Sequence, residues 1–556
     1  MGKRLFSAFL ILVLCVGMLT LSYQNHDLSY SDEATAGSAA GAFATLQRDE
    51  TLILWYADEA LSEFLTSEAL AYQAQTGVHV EPRLVSGVDY LEQINTASVY
   101  DGEEASDGSG TYEAPDLYIT THDTLLRAYL AGLASEISDP HTVVLPENYP
   151  NTSLHAISCK DRYVAYPLYY ETNFFLYNKT YMRDIASAKV EEQIDRAEGE
   201  AAQEAVDESG GEPADADGDD KQDDDDKKDD AKDTGDEEAD SADGENGEDA
   251  ELGEEENEES EDSDPMGEED VQASPEVLKQ LSTMIPQTID DIKTFANNYE
   301  APEAVEAVFK WDVSDIFYNY FFVGNYMNVG GENGDNNAIF NLYNKQAVEC
   351  LQVYQDLNSF FSIDAKEVTY DKIIQEFVDG KTVFTVATTD AVGKIEQAKL
   401  DGDFDFDYGI AVLPDLSSTL KARGLSVTTC VTVNGYSTKK DTANDFASYL
   451  AFEKGNELYR KAGKMSCKRG CVYENNEIYN IMNEYEKSVS LPKMIETSNF
   501  WVQLEIAFTQ VWNGADPDET LRMLSDAIGA QIDEIDYHIP VQESIGAGAG
   551  SLLLPE

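Results

Sequence analysis

The stretch Arg162–Met182, RYVAYPLYYETNFFLYNKTYM, constrains this chain more than any other part of it. Aromatic and β-branched residues fit a pleated, half-buried surface. The stretch therefore reads as a buried strand, a polar break at Glu171-Thr172-Asn173, and a second strand over Phe174–Tyr177. One carboxylate among so many rings points to a cleft rather than to a core. Shortly afterwards the composition collapses into an acidic run, and globular sequence resumes near Pro275. A folded unit is thus interrupted by an insertion.

Composition sets the outer limits. The chain has 556 residues, 42% of them hydrophobic, enough for two or three cores at roughly 100–200 residues per domain. Its formal net charge is −71, and residues Val190–Asp270 hold 40 acidic and 5 basic side chains, so that window alone carries −35. The remainder is still acidic. Such a surface repels nucleic acid and anionic membranes, which sets aside a DNA- or RNA-binding role. Ala188–Val271 has almost no aromatic or β-branched content and cannot offset chain entropy by burial. The α/β unit is therefore expected to carry a disordered acidic insert over 188–274.

The N-terminus reads as a targeting segment. Lys3 and Arg4 precede an apolar run, Leu5–Leu21, the pattern of a secretory leader. Three readings stay open: a signal peptide cut after Ser22, an uncleaved anchor at the short end for spanning a bilayer, or lipidation at Cys15, where the bulky Leu14 argues against it. All three place the rest outside the cytoplasm, secreted or tethered to the membrane's outer face. Residues 23–49 are Ser/Ala/Gly-rich and read as a tether. Beyond Cys15, five cysteines remain. Cys467 and Cys471, four apart, could close a small disulfide, while Cys350 and Cys430 read as buried thiols. No histidine cluster or EF-hand spacing is present, so neither a metal site nor a cofactor is read.

The order of elements follows a βαβ rhythm, which implies a parallel sheet. Leu52–Tyr56 is a strand, followed by a helix over Glu59–Thr76 that Gly77 ends. Val78–Pro82 is a strand, Asp89–Ser98 a helix, Pro115–Ile119 a strand, and Thr124–Ala131 a helix stopped by Gly132. After Pro275 helices dominate, with further strands at Thr382–Ala387, Tyr408–Leu413 and Leu425–Val433.

Several segments in this order resemble the extracellular solute-binding proteins of sugar ABC importers, the maltose-binding-protein-like group. They are Thr76-Gly77-Val78-His79-Val80, Pro115-Asp116-Leu117 leading to His122-Asp123, and Tyr166-Pro167-Leu168 leading to Glu171 and Leu176-Tyr177-Asn178-Lys179. Further on come Phe377-Val378-Asp379-Gly380-Lys381, Tyr408-Gly409 leading to Leu413-Pro414, and Phe500-Trp501 before a helix through Val511. The likeness covers about Leu52–Ile535 without the insert. It implies a two-lobed periplasmic-binding-protein-like (type II) fold with hinge crossovers, closing on a ligand. On this reading lobe 1 is 50–168 and 425–478, and lobe 2 is 169–187, 275–424 and 479–535, with 536–556 a tail. Tyr166–Tyr177 resembles the first crossover, and Leu413–Leu425 carries another. The resemblance also implies a monomer that takes a small-molecule ligand, a sugar, and hands it to membrane permease subunits.

The same resemblance nominates ligand-binding residues. Asp58 and Glu59 follow the first strand, His122 and Asp123 open the helix after the third, and Glu171 lies at the crossover. Phe317 and Tyr318 lie near a family aromatic, and Trp501 matches the family's stacking tryptophan. A sugar needs planar acceptors for its hydroxyls and aromatic plates for its C–H faces. Three positions depart from the family. Thr120 replaces an aromatic, Asp390 falls where a tryptophan is expected, and Glu505 replaces a basic residue. The expected cleft thus loses stacking area and gains negative charge. An oligosaccharide is the first reading, and a cationic ligand, an amino sugar or polyamine, is the alternative. Duller roles stand beside these: Asp123 could cap the helix from Thr124, and Glu171 could be a hinge acceptor.

Catalytic signatures are sparse. There is no Gly-x-Ser-x-Gly elbow, no His-Glu-x-x-His and no phosphate loop. A glycosidase needs only two carboxylates, so that alternative rests on acidic residues alone. The sequence reads as a binder, not an enzyme.

Overall fold

The structure, a computed structural model, describes residues 50–104, 110–139, 141–209, 274–494 and 499–535. Among the described residues, ten strands build the main sheet framework: β1 (Thr51–Tyr56), β2 (His79–Leu84), β3 (Leu117–Thr121), β4 (Tyr166–Asn178), β5 (Ala307–Phe309), β6 (Thr382–Thr388), β7 (Tyr408–Ala411), β8 (Leu425–Val433), β9 (Met465–Ser466) and β10 (Val489–Ser490). The helices used below are α1 (Ser62–Thr76), α2 (Leu125–Leu130), α3 (Asn151–Ile157), α4 (Lys179–Ser209), α5 (Pro275–Met284), α6 (Ile316–Asn319), α7 (Lys345–Phe361), α8 (Tyr370–Val378), α9 (Asp390–Asp401), α10 (Gly455–Ala462), α11 (Ile478–Lys487), α12 (Phe500–Trp512) and α13 (Pro517–Ile535).

β1 alternates buried Leu52, Leu54 and Tyr56 with half-buried neighbours, the period of a strand covered mainly on one face. It pairs in parallel with β2 and β3. Between β1 and β2 runs α1, which ends where Gly77 takes φ 80°, a left-handed turn that glycine adopts without strain. β8 then joins antiparallel to β3 on one edge and to β4 on the other. The register of β8 slips between Thr429 and Cys430. Pro167 has no N–H to give the ladder, and a bulge is where a sheet tolerates proline.

β4 belongs to two sheets. Through Thr172 it pairs with β8, Thr172 standing opposite Ser426. From Asn173 it pairs with β6, Asn173 standing opposite Thr388, and its other edge takes β7. The sequence expectation of two strands around a polar break is corrected here: one strand of 13 residues runs unbroken across Glu171-Thr172-Asn173. Thr172 and Asn173 are fully buried because their side chains hydrogen-bond to backbone, Thr172 Oγ1 to Leu425 O at 2.9 Å and Asn173 Nδ2 to Phe317 O at 2.7 Å. Glu171 is the one residue of β4 that is not buried.

Two apolar clusters form on the faces of this framework. One gathers Leu54, Phe64, Tyr118, Tyr170, Phe446 and Tyr485 and continues to Phe174, Leu176, Ala387 and Ile410 on one face of the second sheet. The other takes Phe175, Tyr177, Phe309, Trp311, Tyr354 and Trp512 on the opposite face, under α7, α12 and α13. From Phe174 to Tyr177 successive side chains of β4 thus enter different cores, as the period of a strand dictates.

Two expectations change. Residues 188–209 continue α4 rather than forming part of a disordered insert. Tyr181, Met182, Ala186 and Val190 are buried and α5 packs alongside, so tertiary contacts meet the cost of nucleation. Alanine, glutamate and glutamine then propagate the helix. Residues 210–273, the rest of that expectation, lie outside the described residues, as do the N-terminal segment, the tether and the tail. The Cys467–Cys471 disulfide is not formed, and all five described cysteines are free and buried. Cys467 instead lies 3.7 Å from the Tyr485 hydroxyl.

Buried polar groups fix the segments that run between the sheets. Lys493, 1% exposed, donates from Nζ to the carbonyls of His155, Ala156 and Ser158 at 2.7, 3.0 and 2.5 Å. That ties the chain beyond β10 to the end of α3. His122, fully buried, spends both ring nitrogens. Nδ1 accepts from Thr428 N at 3.0 Å, and Nε2–H donates to Leu491 O at 3.1 Å. Burial pushes its pKa down to about 4. The expectation that His122 contacts ligand is therefore corrected: the ring is sealed in and holds two backbones in place.

Replacing Lys493 by Met leaves three buried carbonyls without their donor. Lys493→Met should lower unfolding free energy by roughly 3 kcal/mol or more, read as a fall in the denaturant midpoint. A loss below about 1 kcal/mol would refute this role. His122 has a depressed folded pKa, so between its folded and unfolded values the unfolded chain binds more protons. Its contribution is complete above about pH 6.5 and is lost as pH falls towards 4, on the order of 3 kcal/mol. His122→Gln, neutral at every pH, should flatten that part of the stability–pH curve.

Candidate functional site

The candidate residues form separate groups: Asp58 and Glu171 meet on the first-sheet side, Asp390 joins Tyr318 and Phe317 on the second-sheet side, and Trp501 and Glu505 stand on α12. Open α/β sheets leave crevices at the carboxyl ends of their strands, and the ends of three strands lie beside the middle of β4. The turn after β1 carries Asp58, that after β3 carries Asp123, that after β6 carries Asp390, and Glu171 lies in β4 itself.

On the first-sheet side the centre is Lys464, which the sequence reading missed. Its Nζ lies 2.9 Å from Asp58 Oδ2 and 3.4 Å from Glu171 Oε1, and 5.1 Å from the centroid of the Tyr169 ring. The Tyr169 hydroxyl donates to Asp58 Oδ2 at 3.2 Å, and Ala60 N donates to Oδ1 at 3.0 Å. Burial raises the Asp58 pKa, but Lys464, Ala60 and Tyr169 together outweigh it and hold the carboxyl below its ordinary value. Burial likewise disfavours charge on Lys464, yet Asp58 and Glu171 carry its pKa above the usual lysine value. Lys464 follows α10 and a left-handed Gly463 at φ 65°, where a helix C-terminus favours a cation. The sequence signal was that helix stop, Ala-Gly-Lys, before a strand that pairs with Tyr169 and Tyr170.

Asp123 lies in the short helical turn His122–Thr124. It does not cap α2, which has no side-chain cap. Its Oδ1 is buried and has no hydrogen-bond partner among the described residues. Glu59 is exposed at the start of the turn Glu59–Leu61.

The second-sheet side is a run of rings and carboxylates. Asp390 opens α9 half-exposed. Its Oδ1 accepts from the Tyr370 hydroxyl at 2.6 Å and from Thr388 Oγ1, and its Oδ2 lies 2.9 Å from Lys394. Burial pushes the Asp390 carboxyl up, but Thr388, Tyr370 and Lys394 bring it below its ordinary value. Tyr370 stacks on Tyr318, centroids 4.7 Å apart and planes 15° from parallel, and Phe317 meets Tyr318 edge-on at 5.9 Å. Asn173 reaches this wall through the Phe317 carbonyl. Gly424 lets the backbone pass, since a Cβ there would lie 2.4 Å from Asn173 Oδ1.

Trp501, partly buried in the first turn of α12, meets the Tyr320 ring edge-on at 5.4 Å. Glu505 stands one turn on, on the same helix face. Burial, then the neighbouring Asp315 carboxylate, raises the Glu505 pKa, while the Ile316 N–H at the start of α6 opposes the rise. Trp501 and Glu505 thus share the surface that α12 turns towards α6.

The structure brings Asp58 and Glu171 together through one lysine, and links Asp390, Tyr318 and Phe317 through Tyr370. The gain in negative charge expected from Asp390 and Glu505 is partly offset, because Lys394 stands on Asp390; Lys464 likewise stands on Asp58 and Glu171. Among the described residues, no cluster of His, Cys, Asp or Glu is arranged to hold a metal ion, and no helix is long and apolar enough to cross a membrane.

No family model matches the chain, and no curated protein sequence matches it. Solved structures do. An extracellular solute-binding protein from Staphylococcus aureus in complex with maltose is 16% identical with a TM-score of 0.59, over 88% of this chain and 99% of that one. A cyclo/maltodextrin-binding protein complexed with maltotetraose is 15% identical with a TM-score of 0.58, over 88% and 97%. The maltose-binding periplasmic protein of Listeria monocytogenes, in complex with maltose, is 15% identical with a TM-score of 0.57, over 88% and 99%. The chain therefore has the two-lobed α/β fold of these solute-binding proteins, with strands crossing between its lobes.

Proposed function

We propose that this protein is an extracellular solute-binding protein that captures a carbohydrate, an oligosaccharide, between its two lobes for delivery to an ABC importer. The observation that carries the reading is Glu171. It is the one partly exposed position in a strand shared by both sheets, and the Lys464 ammonium, with Asp58 and the Tyr169 ring on its other sides, stands against it. Carboxylates and amides suit sugar hydroxyls, while Trp501, Phe317 and Tyr318 suit sugar C–H faces. The likeness to proteins solved with maltose and maltotetraose supports the same ligand class. Asp123 offers a buried acceptor that no described group uses. On this reading the chain works as a monomer, its N-terminal segment secretes or tethers it, and two membrane permease subunits with a cytoplasmic ATPase receive the ligand. Binding, not turnover, is its activity.

The test is a thermal-shift and calorimetric screen of the full chain against maltose, maltotriose, glucosamine and spermidine. A neutral oligosaccharide at 100 times its Kd should stabilise by about 2.7 kcal/mol, without hydrolysis products. Trp501→Ala should weaken binding at least about tenfold, about 1.4 kcal/mol. Stabilisation by amines alone, or release of product, would overturn the assignment.

A further inference from the structure

We propose that Lys464 selects the charge of the ligand: it occupies with its own ammonium the place that a cationic ligand would otherwise take, and so reserves the cleft for neutral sugars. This rests on the proposed function and names a specificity-determining residue within the same site. Three acceptors converge on one point. Asp58 Oδ2 lies 2.9 Å from Lys464 Nζ and Glu171 Oε1 3.4 Å from it, while the face of the Tyr169 ring stands 5.1 Å away. Two carboxylates and an aromatic face are the chemistry that binds a primary ammonium. The lysine is fixed in place. Its carbonyl neighbour begins β9, where Met465 pairs with Tyr170 and Ser466 with Tyr169, and it closes the negative end of α10.

The charge balance follows directly. With Lys464 present, Asp58 and Glu171 share one positive charge and leave a net single negative charge, with acceptor lone pairs still free for hydroxyls. An arriving ammonium would have to displace a side chain already tethered to the protein, and a tethered group competes at high effective concentration. Without Lys464 the two carboxylates, no farther apart than the two contact distances combined, face one another unpaired. They then favour a cation strongly, because an uncompensated charge pair in a partly desolvated site is costly. Lys464 acts through Asp58 and Glu171 and is a positioning residue.

The experiment compares the full chain with its Lys464→Ala variant by calorimetry, using maltotriose as the neutral probe and the glucosamine trisaccharide as the cationic one. Lys464→Ala should weaken maltotriose binding about tenfold and strengthen the amino-sugar probe about tenfold, about 1.4 kcal/mol each way, reversing the order of preference. Propylammonium, the part of the side chain removed, should restore maltotriose binding, and tetramethylammonium at equal ionic strength should not. Lys464→Arg should keep the parent preference. If Lys464→Ala lowers the melting temperature too far, Lys464→Gln takes its place. A merely structural lysine predicts that both affinities fall together with no rescue, and that result overturns the proposal. If the parent chain binds no neutral oligosaccharide, the proposed function fails separately. The amino-sugar gain still decides the role of Lys464: its appearance supports the proposal and its absence overturns it.

Discussion

The rest of the structure depends on one strand that has no free side. β4 gives its first half to a ladder with β8 and its second half to ladders with β6 and β7. Its side chains are buried in 12 of 13 positions. Every backbone donor and acceptor in such a strand must find a partner, because an unpaired buried group costs as much as a lost hydrogen bond. The two sheets satisfy that demand jointly, so neither can be built without fixing the other's starting edge. The polar residues at the junction, Thr172 and Asn173, each give a side-chain donor to a backbone carbonyl beside the crossing.

Glu171 follows from the same constraint. It stands next to the residue where β4 trades one partner for another, and the covering layers part there. Around that opening the structure places charges in compensated sets. Asp58 and Glu171 share Lys464, and Asp390 is held by Lys394, Tyr370 and Thr388. Partly desolvated carboxylates persist as anions only with such partners. The consequence for recognition is a site rich in acceptors whose charge is moderated, which suits hydroxyls better than free cations.

Much of the architecture was legible along the chain. The βαβ rhythm from Leu52 to Gly132 gave the parallel half-sheet, since a strand's period and a helix's glycine stop are local properties. Trp501, Tyr318 and Asp390 were nominated by the family resemblance rather than by any local pattern. His122 was misread because a histidine at a strand end looks the same whether it faces solvent or is pinned between Thr428 and Leu491, which lie about 300 and 370 residues away. The helix over 188–209 was misread because composition reports burial capacity and not the packing of a helix's first turns. Lys464 was overlooked because its partners are not its sequence neighbours. Its partners come from residues 58 and 171.

The sequence by itself determined the βαβ order of the first half-sheet, the presence of the aromatic segment and the one carboxylate within it. Those follow from side-chain period, propensity and the cost of burying charge, which are set by near neighbours. Only the tertiary structure decided which charges meet. Asp58, Glu171 and Lys464 are distant along the chain, and Coulomb attraction acts through space. Their pairing exists only after β9 docks on β4 and brings the ammonium to the two carboxylates.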